Sequence, residues 1–63
     1  MDALDVIIEQ ADDKILQLKD YLAQGRAETF EEYKRLCGEI KGLLFVKAYM
    51  RDLKQQLENS DDE

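Results

Sequence analysis

Apolar side chains recur at Leu4, Ile8, Ala11, Ile15, Leu18 and Leu22, in alternating steps of four and three residues, with Ile7 alongside. Steps of that size return each side chain to the same side of an α-helix. The pattern predicts a helix over about 3–24 that packs one stripe against one neighbour. The intervening Asp5, Glu9, Asp12, Asp13, Lys19 and Asp20 belong to a face in water. Gly25 lacks a Cβ and can supply the left-handed residue that ends such a helix. Thr29 and Glu32 then have the T-x-x-E spacing with which a hydroxyl and a carboxylate satisfy free N–H groups in a first helical turn. The turn therefore occupies about 25–28. A connection that short folds two amphipathic helices back on each other, antiparallel.

The second segment, about 30–57, has no proline and is rich in Lys, Glu, Leu and Gln. Tyr33, Leu36, Ile40, Leu43, Met50, Leu53 and Leu57 are the residues expected to meet the first helix. Around Leu43 to Val46 a three-residue step replaces the expected four, so this stripe is predicted to drift around the helix. The second helix is the longer, and its C-terminal end is expected to project beyond the hairpin. The expected fold class is all-α: a two-helix antiparallel hairpin over 1–58, followed by an acidic tail over 59–63.

One stretch does not fit a single-faced helix. In "CGEIKGLLFVKAYM", Cys37 to Met50, two glycines stand four residues apart and are followed by Leu43, Leu44, Phe45 and Val46. Four successive residues cover every side of a helix, and a hairpin offers each helix only one neighbour. At about 100° per residue, Gly38, Gly42, Phe45 and Tyr49 fall on the side away from Leu36, Ile40 and Leu43. Each glycine costs about 0.5–1 kcal/mol relative to alanine in a helix interior. Gly38, Gly42, Phe45, Val46 and Tyr49 are thus the candidate partner-binding residues, on a second apolar face that something outside the hairpin covers.

Size points the same way. A chain of 63 residues is in the range where folding commonly needs disulfides, a metal or association. Cys37 is the only cysteine and there is no histidine, so an internal disulfide and the usual zinc sites are ruled out. No EF-hand spacing is present either. Association remains, and the hairpin is expected to be completed by self-association or by packing on a larger partner.

Charge narrows the classes of partner. Nine Lys and Arg stand against 15 Asp and Glu, a net charge of −6. That balance argues against nucleic-acid binding, and the basic residues between Arg26 and Lys54 are spread around the second helix instead of forming a stripe. The longest apolar run is "LLFV", far below the ~20 residues that span a bilayer. No signal peptide is recognisable. The expected setting is soluble, in a reducing cytoplasm, away from membranes. Catalysis is not expected: Asp12 and Asp13 diverge on a helix, Asp61 and Asp62 lie in the tail, and Cys37 has no histidine to activate it. No cofactor, metal or small-molecule substrate is implied.

Phe30 to Leu53, "FEEYKRLCGEIKGLLFVKAYMRDL", resembles the second helix of small, acidic helical-hairpin proteins encoded among the head and virion genes of tailed bacteriophages. The likeness rests on Phe30 and Tyr33, Leu36 and Gly38, Gly42 and Leu43, and the acidic C-terminus. It implies a non-enzymatic role in virion structure or assembly, with many copies on a ring-forming or shell-forming component and incorporation into the virion. The alternative suggested by the charge is a small acidic inhibitor or decoy for a basic surface on a host protein.

Overall fold

In the computed structural model, which describes residues 2–60, the chain forms two α-helices, α1 (Ala3–Ala23) and α2 (Phe30–Ser60). They run antiparallel as a hairpin of 53 × 18 × 13 Å, and no strand occurs among the described residues. The two apolar stripes and the short connection do produce the all-α hairpin. Its ends are closed by side chains and one glycine. The Asp2 carboxylate accepts the Asp5 N–H at 2.8 Å and so caps α1. At the other end Gly25 adopts φ 72°, where a Cβ would strain the backbone. The Gly25 N–H reaches the Leu22 carbonyl at 3.0 Å and the Arg26 N–H reaches that of Tyr21 at 3.3 Å. This pair of bonds is the Schellman motif, which satisfies carbonyls the last turn leaves free.

Thr29 starts α2 as the T-x-x-E spacing predicts, its hydroxyl accepting the Glu32 N–H at 3.0 Å. The Glu32 carboxylate reaches back to the Glu28 N–H at 3.3 Å and accepts the Tyr21 hydroxyl at 3.0 Å. One carboxylate thus ties the start of α2 to the connection and to α1. The same bond holds ionisation of Tyr21 above its ordinary 10.0. Thr29→Ala is expected to lower stability by about 1 kcal/mol, the usual worth of such a cap. Thr29→Ser should retain it. A urea midpoint unmoved by Thr29→Ala would contradict this role for the hydroxyl.

The core is thin. Ala11, Ile15, Leu18 and Leu36 are its buried members, and Leu4, Ile8, Leu22, Ile40, Leu43 and Met50 are half-buried around them. On α1 this is the predicted stripe. On α2 it departs from prediction at Tyr33, Leu53 and Leu57, which are 48%, 44% and 52% exposed. An unbroken helix keeps its seam in register, and from Leu36, Ile40 and Leu43 the four-three steps lead to Lys47, Met50, Lys54 and Leu57. Tyr33 and Leu57 hold that register past the two ends of α1, which does not cover them, whereas Leu53 falls outside the seam. Two lysines therefore occupy seam positions. Their aliphatic stems cover apolar surface while the ammonium groups turn to the rim. There Lys47 pairs with Asp12 and Lys54 with Asp5.

The two aspartates are seven residues apart, as are the two lysines, so the pairs form two rungs of one antiparallel register. Partly exposed pairs add little to stability, and what these rungs do is select the alignment of the helices. The hydrogen bond from Lys54 holds the Asp5 carboxyl below its ordinary 3.8, and the Asp5 carboxylate holds Lys54 above 10.5. For Asp5, with its lowered folded value, the contribution is complete above 3.8 and is lost as pH falls through the folded-state value. For Lys54, with its raised value, it is complete below 10.5 and is lost as pH climbs through the folded-state value. Asp5→Asn is therefore expected to flatten the acid limb of the urea-midpoint profile. An acid limb identical to that of the unmodified chain would exclude Asp5 as a contributor.

With Lys54 opposite Asp5, only about the last turn of α2 extends past the start of α1. α2 itself continues through Asn59 and Ser60. The remaining tail residues, Asp61, Asp62 and Glu63, lie outside the described residues.

Candidate functional site

The seam on α2 is held by Leu36, Ile40, Leu43, Lys47, Met50 and Lys54, so the sides of that helix turned away from α1 can be read directly. Gly38, Gly42, Phe45, Val46 and Tyr49 all lie there, brought together by one continuous helix, and all are exposed. Phe45 is 53% exposed, Val46 42% and Tyr49 67%. The two glycines touch nothing: a Cβ built on either would have no heavy atom within 4 Å outside its own helical turn. Neither glycine is therefore required by the hairpin's packing or by a turn. Each costs about 0.5–1 kcal/mol of helix stability with no compensating contact inside the chain.

The face is longer than the sequence pattern indicates. Leu53, expected in the seam, continues it toward the C-terminus. Together with Gly38, Gly42, Phe45, Val46 and Tyr49 it falls within an arc of about 100° of the helix. No charged residue enters that arc between Gly42 and Leu53. Near its start Arg35 and Glu39 neutralise each other at 2.9 Å. The signal that could have placed Leu53 is the matched seven-residue spacing of Asp5 with Asp12 and of Lys47 with Lys54, which commits the lysines to the seam.

The arrangement inverts the ordinary distribution of side chains. In the C-terminal half of α2, charge faces the neighbouring helix and large apolar groups face outward. Single exposed apolar residues are normal on a protein surface, whereas an unbroken apolar stripe marks a place of contact. The opposite side of the hairpin has the contrary character. The outward face of α1 presents Asp2, Glu9, Asp13 and Asp20, all exposed and none in an ion pair among the described residues. Val6 and Leu16, also exposed, lie among these carboxylates, so the outward face of α1 is acidic with two isolated apolar residues.

Other features are satisfied locally. Phe30 and Tyr33 stack with ring centroids 6.3 Å apart, and the Lys34 ammonium lies 5.5 Å from the Phe30 centroid. Cys37 is half-buried one turn from Tyr33, and hydrogen bonding with its thiol holds the Tyr33 hydroxyl above 10.0. A shallow groove beside the connection is lined by Lys14, Leu18, Tyr21, Glu32, Arg35 and Leu36. It is open to solvent, and its Tyr21 and Glu32 already bond to each other. Among the described residues no three of His, Cys, Asp and Glu are grouped to hold a metal ion, and no helix is long and apolar enough to cross a membrane. In comparisons with known proteins no family model matches the chain, and no curated protein or solved structure is significantly similar to it.

Proposed function

We propose that the protein is a non-enzymatic helical interaction module that docks through the outward face of α2. The observation that carries this reading is the uncharged stripe from Gly42 to Leu53, present while lysines occupy the same helix's inward face. A sequence selected only to fold as an isolated hairpin gains stability by reversing that arrangement. Aromatic residues on such a face supply interface anchors, and the glycines let another backbone or a bulky side chain come close. The resemblance of Phe30 to Leu53 to the hairpin proteins of tailed phages points to a structural or assembly role in a virion, in many copies on a larger oligomer.

Position-specific photo-crosslinking tests the docking reading. A photoreactive residue in place of Tyr49 is expected to form discrete adducts in cells that make the protein, and one in place of Asp13 is not. Equal yields at the two positions would overturn the reading.

The acidic face of α1 favours one second reading, a decoy that occupies a basic surface on another protein. Its adducts would form at Asp13 in preference to Tyr49. Its binding would weaken steeply with salt, because exposed charges are screened beyond ~8 Å at physiological ionic strength. Docking through the α2 stripe is instead expected to tolerate salt.

A further inference from the structure

We infer that the occupant of the α2 face is a second copy of this chain, packed antiparallel about a twofold axis that passes between Phe45 and Val46. The inference rests on the docking reading above and deepens it. Three observations carry it: the order of residues along the stripe, the charges on its edge and the placement of net charge on the molecule.

A twofold axis at that point sets residue n against residue 91 − n of the partner, so each contact occurs twice. Gly42 then faces the partner's Tyr49, and Gly38 faces the partner's Leu53. Both glycines, which meet nothing within their own chain, fall opposite the large exposed side chains of the stripe. Phe45 and Val46 meet at the centre. Small residues opposite large ones on the same helix are what antiparallel self-packing requires. A parallel pairing would set glycine against glycine and Tyr49 against Tyr49.

The edge charges fit the same operation. Lys41 and Asp52 lie on one edge of the stripe, and neither is in an ion pair among the described residues. Antiparallel twofold packing brings like edges together. Lys41 and the partner's Asp52 then lie two residues out of alignment, about 3 Å along the helix axis and within reach of a lysine side chain. Two ion pairs flank the apolar centre, which matches the usual apolar core and polar rim of an interface.

Repulsion between two chains of charge −6 is the main objection, and the geometry answers it. The acidic outward face of α1 is on the far side of each hairpin. The stripe is centred about 130° around α2 from the seam, so at 8–10 Å between neighbouring helix axes the two α1 axes stand about 20 Å apart, with their acidic faces turned outward, more than two Debye lengths at physiological salt.

Disulfide mapping in a Cys37→Ser background, with sedimentation equilibrium, tests this geometry. The unmodified chain is expected to sediment at twice its 7.4 kDa. Val46→Cys, at an exposed position beside the axis, should oxidise to a linked dimer. Leu53→Cys should not link to itself, because the two copies lie roughly 22 Å apart along the helix axis at 1.5 Å per residue. Mixed with Gly38→Cys, however, it should form the heterodimer. Tyr49→Asp should weaken association by about thirtyfold or more, the scale of losing a central anchor.

Self-linking of Leu53→Cys would overturn the antiparallel arrangement while leaving the face as the contact. A monomer up to millimolar concentration, with Tyr49 photo-adducts to a different protein, would overturn the second-copy inference and leave the docking reading intact. A dimer indifferent to Tyr49→Asp that links through Asp13→Cys would overturn both.

Discussion

Ile15→Ala is expected to unfold the isolated chain at 25 °C. Ile15 is the most buried side chain described, at 5% exposure, and it shares the core with only Ala11, Leu18 and Leu36. Truncating a buried isoleucine to alanine costs about 2–5 kcal/mol, through lost transfer free energy and the cavity left behind. A core of this size rarely supplies more than ~3–5 kcal/mol in total, so there is no reserve to absorb the loss. Circular dichroism should show most of the helical signal gone, or recovered only at protein concentrations high enough for association to compensate. Leu16→Ala is the matched control. Leu16 adjoins Ile15 in sequence but is 59% exposed, and its removal should move the urea midpoint little. Comparable losses from the two variants would mean that the seam does not carry the stability assigned to it.

Gly42→Leu is expected to move two measurements in opposite directions. Within one hairpin the new side chain enters open space at ordinary helical backbone angles, so replacing glycine should stabilise the helix by about 0.5–1 kcal/mol. In the assembly the same side chain occupies the place of the partner's Tyr49, and overpacking a close helix contact costs about 1–3 kcal/mol or more. The hairpin should melt higher as a monomer, and the oligomer should dissociate. Sedimentation and thermal denaturation on the same samples separate the effects. A variant that melts higher and still associates normally would make Gly38 and Gly42 ordinary surface positions.

Much of the fold was legible because most of its determinants are local. The four-three spacing from Leu4 to Leu22, the left-handed position at Gly25 and the Thr29 to Glu32 cap each have a mechanism that acts within a few residues. All three are present in the structure. The inward face of α2 beyond Leu43 was not legible from hydrophobicity. Leucine at 53 resembles a core residue and lysines at 47 and 54 resemble surface residues, yet helical geometry assigns them the other way round. That assignment is a tertiary fact, recorded only in the spacing of oppositely charged residues more than thirty positions away. The grouping of Gly38, Gly42, Phe45, Val46 and Tyr49 needs only an uninterrupted helix, so it follows from periodicity alone. Leu53 escapes it because hydrophobicity alone puts that residue inside the hairpin.

The uneven filling of the seam also determines where the molecule opens. All four buried residues lie in the half nearest the connection or at its boundary, where the capping bonds of Gly25, Thr29 and Glu32 also act. The remote half is closed by half-buried side chains and two rim ion pairs, which water can replace at low cost. Amide exchange should therefore slow progressively from the free ends toward the connection, and the hairpin should unzip from the Asp5 and Lys54 end before any global unfolding. The stripe from Phe45 to Leu53 rides on this looser half. Whatever covers it acts as a clasp on the open end, and occupancy would register as slowed exchange over about 45–53 while amides beside the turn stay as they were.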